Sequence, residues 1–309
     1  MITVPSYHEP VLGDEVLSFL DPHDAGFYLD GTLGGGGHTR MILEACPACR
    51  VLGVDRDPEA LAEARTVLAE HRGRVRFLEA RFDEAPRDPE VRDRGLDGAL
   101  LDLGVSSHQL DADERGFAFR RGVALDMRMG AGGTDARTFL AHASQDEMTR
   151  VFREYGEEPK ARRLAGEIVK RRATEPLETS DDLVAALTVA LGRPPSAKEK
   201  ARIFQAVRIA VNEELEALEA ALPAIRDVMA AGGVMVVIAY HSLEDRVVKN
   251  AFREWSRSCV CPPELPACVC RGEALGETLT RKVVRPSDDE VERNPRARSA
   301  RLRAWRRAA

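Results

Sequence analysis

The sequence predicts an α/β fold, a mostly parallel sheet with helices on its faces, interrupted by an inserted all-helical domain. Three observations carry this prediction. The first hundred residues alternate strand-like and helix-like segments. Strand character then disappears from about 110 to 222 and returns at 234–240 (VMVVIAY). Polar residues and a glycine-rich turn fall at the carboxyl ends of the strand-like runs, where open parallel sheets hold their ligands.

In chain order, residues 26–30 (GFYLD) read as a first strand ending in the turn Gly31 to Gly37, and a helix follows from about 38 to 45. Residues 51–55 (VLGVD) form a second strand, and Pro58 suits the first turn of a helix running to about 70. Residues 75–78 form a third strand. Residues 96–103 (LDGALLDL) form a fourth, apolar almost throughout, as in a strand buried on both faces. Within the insertion, Ser144-x-x-Glu147 and Ser196-x-x-Glu199 are capping-box patterns. The second opens the clearest helix, with its stripe at Phe204, Val207, Val211, Leu215, Leu218, Leu222 and Ile225. After the fifth strand, Ser242-x-x-Asp245 has the capping-box form and opens a helix to about Trp255. The tail beyond Cys259 reads as irregular, with a strand at 279–284. The expected domains are 1–109 with 223–309, a discontinuous sheet domain, and 110–222, a helical insertion for substrate recognition.

With 309 residues, 44% hydrophobic and 31% charged, the chain has the composition of a soluble globular protein. Its apolar run at 232–240 is far shorter than the roughly 20 residues of a membrane span. The N-terminus MITVPSYHEP lacks the basic and apolar parts of a secretory signal, so a cytoplasmic location with reduced thiols is expected. A net charge of −6 speaks against a general nucleic-acid binder. Two basic clusters stand out nonetheless: seven arginines between 293 and 307, and Arg193, Lys198, Lys200, Arg202 and Arg208. Either is a phosphate-binding patch or a solvated face.

The polar residues at the strand ends are Asp30, Asp55, Asp102 and His241. No register of 31–37 matches the dinucleotide pattern G-x-G-x-x-G. Asp55 closes the second strand about 20 residues after the glycines, where a carboxylate accepts from ribose hydroxyls. Asp30 is placed to accept from an ammonium group. A nucleoside with an amino-acid end and no phosphate, S-adenosylmethionine, fits this set. The alternative is that both aspartates merely cap the turns that follow them.

The motifs D-G-T-L-G-G-G-G-H-T from Asp30, D-R-D-P from Asp55, L-D-L-G-V-S-S-H-Q-L from Leu101 and E-R-G-F from Glu114 resemble those of a known family. So do L-D-M-R-M from Leu125, F-Q-A-V-R-I from Phe204, V-N-E-E-L from Val211, H-S-L-E-D-R from His241 and N-P-R-A-R-S from Asn294. In this order, from His8 to the C-terminal arginines, the chain is similar to the bacterial small-subunit (16S) ribosomal RNA N4-cytosine methyltransferases. The resemblance implies a Rossmann-like S-adenosylmethionine-dependent methyltransferase sheet. It implies that Gly36, Gly37, His38, Asp55, Phe82, Asp102 and Gln109 contact the cofactor. The implied partner is 16S ribosomal RNA within the small subunit, with no membrane and no DNA.

The N4 amine of cytosine is a poor nucleophile, so methyl transfer depends on positioning and on acceptors for its protons. Asp102 is the candidate catalytic residue; its alternative role is as a cofactor ligand only. Phe117 and Phe119 are candidates to stack on the base. His241 either contacts substrate or belongs to the helix start. No metal is assigned. Cys259-x-Cys261 and Cys268-x-Cys270 have the form of a tight four-thiolate zinc arrangement, which stays open, whereas Cys46-x-x-Cys49 lacks a second pair. Two other classes compete: a non-catalytic RNA-binding or ribosome-assembly module, and an NAD-dependent dehydrogenase. The intact glycines and aspartates argue against the first and the missing fingerprint against the second.

Overall fold

Seven strands pair in the order β3-β2-β1-β4-β5-β7-β6. They are β1 (Phe27–Asp30), β2 (Arg50–Asp55), β3 (Val75–Glu79), β4 (Leu96–Asp102), β5 (Met229–Ala239), β6 (Gly276–Thr278) and β7 (Arg301–Arg307). The structure is a computed structural model and describes residues 10–104, 116, 122–130, 132–261 and 269–309. β1 to β5 run parallel, while β7 is antiparallel to both β5 and β6. The order reverses between β1 and β4, the switch point where such sheets open a crevice. The α/β class expected from the sequence is the one observed.

Side chains alternate between two cores, as strand geometry requires. Tyr28, Val51, Leu100, Val236 and Ile238 point to one face, under α1 (Gly13–Leu20), α2 (Gly37–Ala45) and α3 (Pro58–Val67). Leu29, Leu52, Ala99, Leu101 and Val237 point to the other. That face is covered by α4 (Pro89–Arg94), α10 (Glu214–Val228) and α11 (Ser242–Trp255). Phe252 stacks on the fully buried Trp305 there, and Trp255 meets Trp305 edge-on.

By contacts the chain divides into two units, one of 1–104 with 215–309 and one of 105–214. The second holds α5 (Ala136–His142), α6 (Gln145–Glu154), α7 (Ala161–Arg172), α8 (Ser180–Leu191) and α9 (Ala197–Asn212). Its core includes Leu140, Phe152, Leu164, Leu183 and Val207. Among its described residues the only strand-like pairing is the bridge Ala124 to Thr179. The sequence reading placed the ends of this insertion at 110 and 222. The eight residues from 215 to 222 go instead with the sheet unit, because Leu218 and Leu222 of α10 pack on the sheet core.

Three expectations need correction. The stripe from Phe204 to Ile225 is two helices, because Glu213 adopts φ 52° and breaks α9 from α10. The helix α11 is capped one residue earlier than expected: His241 and Glu244, not Ser242 and Asp245, form the capping box. The tail contributes two strands, β6 and β7, and Val284 makes only an isolated bridge to Leu302. A last helix, α12 (Asp288–Arg293), caps on Ser287.

The C-terminal arginines are largely held inside this architecture. Arg303 Nε lies 2.7 Å from Asp245 on α11, and Arg307 Nη1 donates to the carbonyls of Arg226 and Asp227 at 2.9 and 3.1 Å. Arg306 pairs with Glu277 across the strand pair. In the other cluster, Arg193 pairs with Glu199, Arg208 with Glu214, and Arg202 donates to the Glu157 carbonyl. Lys198 is exposed.

Candidate active site

The site is assembled in the sheet unit from the turns that follow β1, β2, β4 and β5. Each ends in a polar residue because the parallel strands deliver their carboxyl ends to one edge of the sheet.

The β1 turn is braced from within. Asp30 is 1% exposed; its Oδ1 accepts from the Thr32 amide at 3.3 Å and its Oδ2 from the Thr39 hydroxyl at 2.7 Å. Burial raises its carboxyl above the usual range, against the lowering effect of nearby His38 and these hydrogen bonds. The expectation that Asp30 receives an ammonium group is therefore corrected: it is sealed off and holds the turn. Gly36 begins α2 at φ 82°, a left-handed conformation that suits glycine. Gly37 abuts Pro10, whose Cγ would lie 2.8 Å from an added Cβ.

Asp55 does two jobs at the end of β2. Its Oδ1 accepts from the Asp57 amide at 2.9 Å, and its Oδ2 accepts from the Gly34 amide at 2.8 Å, which fastens the glycine turn to β2. Each oxygen can accept again, so the turn-capping role leaves acceptor capacity for ribose hydroxyls. Burial raises this carboxyl too, offset by the two amides.

Asp102 ends β4 beside β1. Its backbone amide donates to the Thr32 hydroxyl at 2.6 Å, tying the β4 end to the β1 turn across the switch point. The Tyr240 hydroxyl and the Gly104 amide face its carboxylate and favour its charged form. Oδ1 is buried and has no hydrogen-bond partner among the described residues. Burial pushes this carboxyl up, and His38, with Nδ1 3.9 Å from Oδ2, pulls it down. The Tyr240 hydroxyl lies well above its usual range, because it is buried and faces the Asp102 charge. Gly104 cannot carry a side chain here, since a Cβ would sit 2.8 Å from the Tyr240 ring.

His38 is buried, and its Nε2 donates to the Val11 carbonyl at 2.9 Å, which turns Nδ1 towards Asp102. Phe82 is half-buried after β3, with its Cβ 3.2 Å from where a Gly31 side chain would begin. The structure thus brings Gly36, Gly37, His38, Asp55, Phe82 and Asp102 to one edge of the sheet. Gln109, Phe117, Phe119 and Cys268 lie outside the described residues.

His241 follows β5 as the cap of α11. Its Nδ1 accepts from the Glu244 amide at 3.4 Å, and Glu244 returns a carboxylate oxygen to the His241 and Tyr240 amides. Nε2 lies 3.0 Å from Glu244 Oε1, though out of line for a hydrogen bond. Of its two sequence readings, the helix-start role is the one the geometry displays. Thr32, Thr39 and Tyr240 were missed from sequence. Thr32 sits inside the D-G-T turn, and Tyr240 closes an apolar strand run where its hydroxyl carries no pattern.

The residues at this edge fit S-adenosylmethionine and do not fit a dinucleotide. A buried carboxylate oxygen lacking a partner at Asp102 and spare acceptor capacity at Asp55 call for donors such as ribose hydroxyls or amines. An additional phosphate charge beside these carboxylates would be repelled.

The family model of the MraW methylase family matches residues 5–308. The Ribosomal RNA small subunit methyltransferase H of Gemmatimonas aurantiaca is 52% identical over 306 residues, covering 98% of this chain and 96% of the relative. The protein of the same name from Heliobacterium modesticaldum is 47% identical, covering 96% of this chain and 97% of the relative. An rRNA methylase from Streptococcus thermophilus aligns over 100% of this chain and 99% of its own, at 10% identity and a TM-score of 0.44. Matched from end to end and built around this strand-end site, the chain belongs to the MraW methylase family, and S-adenosylmethionine is the methyl donor its site accommodates.

Proposed function

We propose that this protein transfers a methyl group from S-adenosylmethionine to the exocyclic N4 of a specific cytosine in 16S ribosomal RNA. The names of the relatives support small-subunit ribosomal RNA as substrate. The observation that carries the chemistry is the unpartnered, buried Oδ1 of Asp102 at the β1/β4 switch point.

When bound, the cofactor supplies an electrophilic methyl on its sulfonium. Asp55 holds the ribose through its remaining lone pairs while its two amide bonds keep it fixed. Gly36, Gly37, His38 and Phe82 would contact the cofactor along the β1 turn and after β3, and the sequence resemblance adds Gln109, which lies outside the described residues. Asp102 Oδ1 accepts a proton of the N4 amine, so the nitrogen lone pair is freed from the ring as it turns towards the methyl group. Tyr240 and Gly104 lie against this carboxylate and favour its charged form. The base leaves its stack to reach this acceptor. The insertion, 105–214, grips the RNA and gives selectivity, with the exposed Lys198 among its phosphate contacts. The cytoplasm is where this substrate is met. No described helix is long and apolar enough to cross a membrane.

The test is incubation with labelled cofactor and small subunits lacking the modification, followed by mass mapping of nucleosides. Label at N4-methylcytidine supports the reading, and label at carbon or ribose would overturn it.

A further inference from the structure

We propose that Cys259, Cys261 and Cys270 bind a zinc ion, which staples the connection between α11 and β6. The sequence reading assigned no metal and left zinc at this cysteine set open. The site stands on three thiols whose sulfurs all lie within 4.8 Å of one another. None of these cysteines is in a disulfide. Cys259 and Cys270 approach to 3.9 Å, whereas a disulfide needs about 2.05 Å. A tetrahedral zinc ion with Zn–S bonds of about 2.3 Å sets its sulfurs about 3.8 Å apart. The observed spacing is thus that of ligands around an ion and too long for a bond.

The backbone around the sulfurs is arranged as thiolate ligation requires. The Val260 amide donates to Cys270 Sγ, and the Val269 amide donates to Cys261 Sγ, both at 3.4 Å. Each C-x-C arm therefore gives a hydrogen bond to a sulfur of the other, the outer contacts that stabilise metal-bound thiolate. Val269 is 78% exposed, so the returning arm buries no apolar anchor there. The base of the loop, by contrast, is closed: Arg271 donates to Glu254 Oε1 at 3.0 Å and to the carbonyls of Glu254 and Arg257 at 2.6 and 3.0 Å. A loop with a fixed base and sulfurs gathered above it loses little further entropy when an ion binds. Soft thiolates select zinc over magnesium or calcium. The buried pair Cys46 and Cys49 is different. Cys46 Sγ donates to Asp24 Oδ1 at 3.6 Å and Cys49 Sγ donates to the Cys46 and Ile42 carbonyls, and the two belong to no three-ligand cluster among the described residues.

The full-length protein, purified under reducing conditions without chelator, should carry about one zinc per chain by elemental mass spectrometry. Replacement by cobalt should give the near-ultraviolet thiolate-to-metal absorption and the visible bands of a tetrahedral ion. This measurement uses the wild-type chain and does not depend on any variant folding. Cys261→Ser and Cys270→Ser should lose the metal, while Cys46→Ser should keep it. Wild type that takes up neither zinc nor cobalt when either ion is supplied would overturn the proposal. So would zinc retained in both loop variants, or a Cys259–Cys270 disulfide mapped in protein alkylated during lysis.

Discussion

Asn212, near the end of α9, clamps the segment around Met127, which lies 85 positions earlier in the chain. Its Nδ2 donates to the Met127 carbonyl at 2.7 Å and to the Arg208 carbonyl at 2.9 Å, and its Oδ1 accepts from the Met129 amide at 2.9 Å. The clamp holds Met127 at φ 61°, a left-handed conformation that a methionine does not adopt unaided. The sequence segments L-D-M-R-M and V-N-E-E-L, far apart in the chain, are thus one local structure.

Asn212→Ala should destabilise the insertion by about 1–3 kcal/mol, because buried backbone groups lose their partners. Thermal unfolding followed by proteolysis should show 105–214 opening first. An Asn212→Asp variant keeps the acceptor and loses the donors, so it should be intermediate at best. Unchanged stability in Asn212→Ala would show that water replaces the clamp at no cost.

Much of this was legible in the sequence, for physical reasons that also mark where reading failed. β4 declared itself because a strand buried on both faces must be apolar nearly throughout, and Leu100 and Leu101 indeed enter opposite cores. Asp55 was legible because a carboxylate closing the second strand has few positions it can serve. β7 was not, since its arginines disguise an inward alternation of Leu302 and Ala304. Those arginines are tolerated only because Asp245 and the Met229 region, remote in sequence, receive them. The break at Glu213 was equally hidden, because the apolar stripe continues through a residue that is not glycine. Asp30 was placed correctly at a strand end, but its burial by Thr39 depends on the turn geometry.

Asp55→Asn should weaken S-adenosylmethionine binding by about 1–3 kcal/mol, roughly 5- to 150-fold in Kd, as ribose hydroxyls lose an acceptor. The new amide also faces the Gly34 or Asp57 amide, so the glycine turn loosens. Titration calorimetry on the folded variant measures it. Wild-type affinity would remove Asp55 from the ribose.

Arg303→Ala should lower stability rather than RNA affinity. Arg303 reaches Asp245 through two contacts of 2.7 and 3.3 Å, and both side chains are mostly buried. Losing charged hydrogen bonds of this kind costs about 1.5–3 kcal/mol. Arg301, 4.0 Å from the same carboxylate, offsets part of the loss, so Arg301→Ala combined with Arg303→Ala should cost more than the sum of the single changes. Melting of the three variants, beside an RNA-binding titration, separates a structural arginine from a phosphate contact.

Lys198→Glu combined with Lys200→Glu should raise the dissociation constant for RNA and leave cofactor affinity unchanged. Each lost phosphate contact should reduce the salt slope by about 0.7–0.9. Arg202 is left intact in this design because it donates to the Glu157 carbonyl within its own unit. Equal affinity and equal slope would make this a solvated face.

Asp102→Asn separates catalysis from stability. Burial raises the Asp102 carboxyl above its ordinary value of 3.8, so the folded protein holds that proton more tightly than the unfolded chain does. By linkage the folded state is favoured at low pH, and this advantage is lost as pH rises from about 3.8 through the raised value. At neutral pH the ionised carboxylate is therefore a cost that the neutral amide of Asn does not carry. The variant should melt higher than wild type at pH 7, and the gap should close as the pH is lowered and the wild-type carboxyl takes up its proton. Activity should move the other way. An amide presents a donor where Oδ1 must accept, so kcat in single turnover at saturating cofactor should fall by about 10²–10³. If Asp102 served only to hold the cofactor, Kd for S-adenosylmethionine would rise while that kcat stayed near wild type. A variant with wild-type values for both would place Asp102 outside the chemistry, whatever its effect on melting.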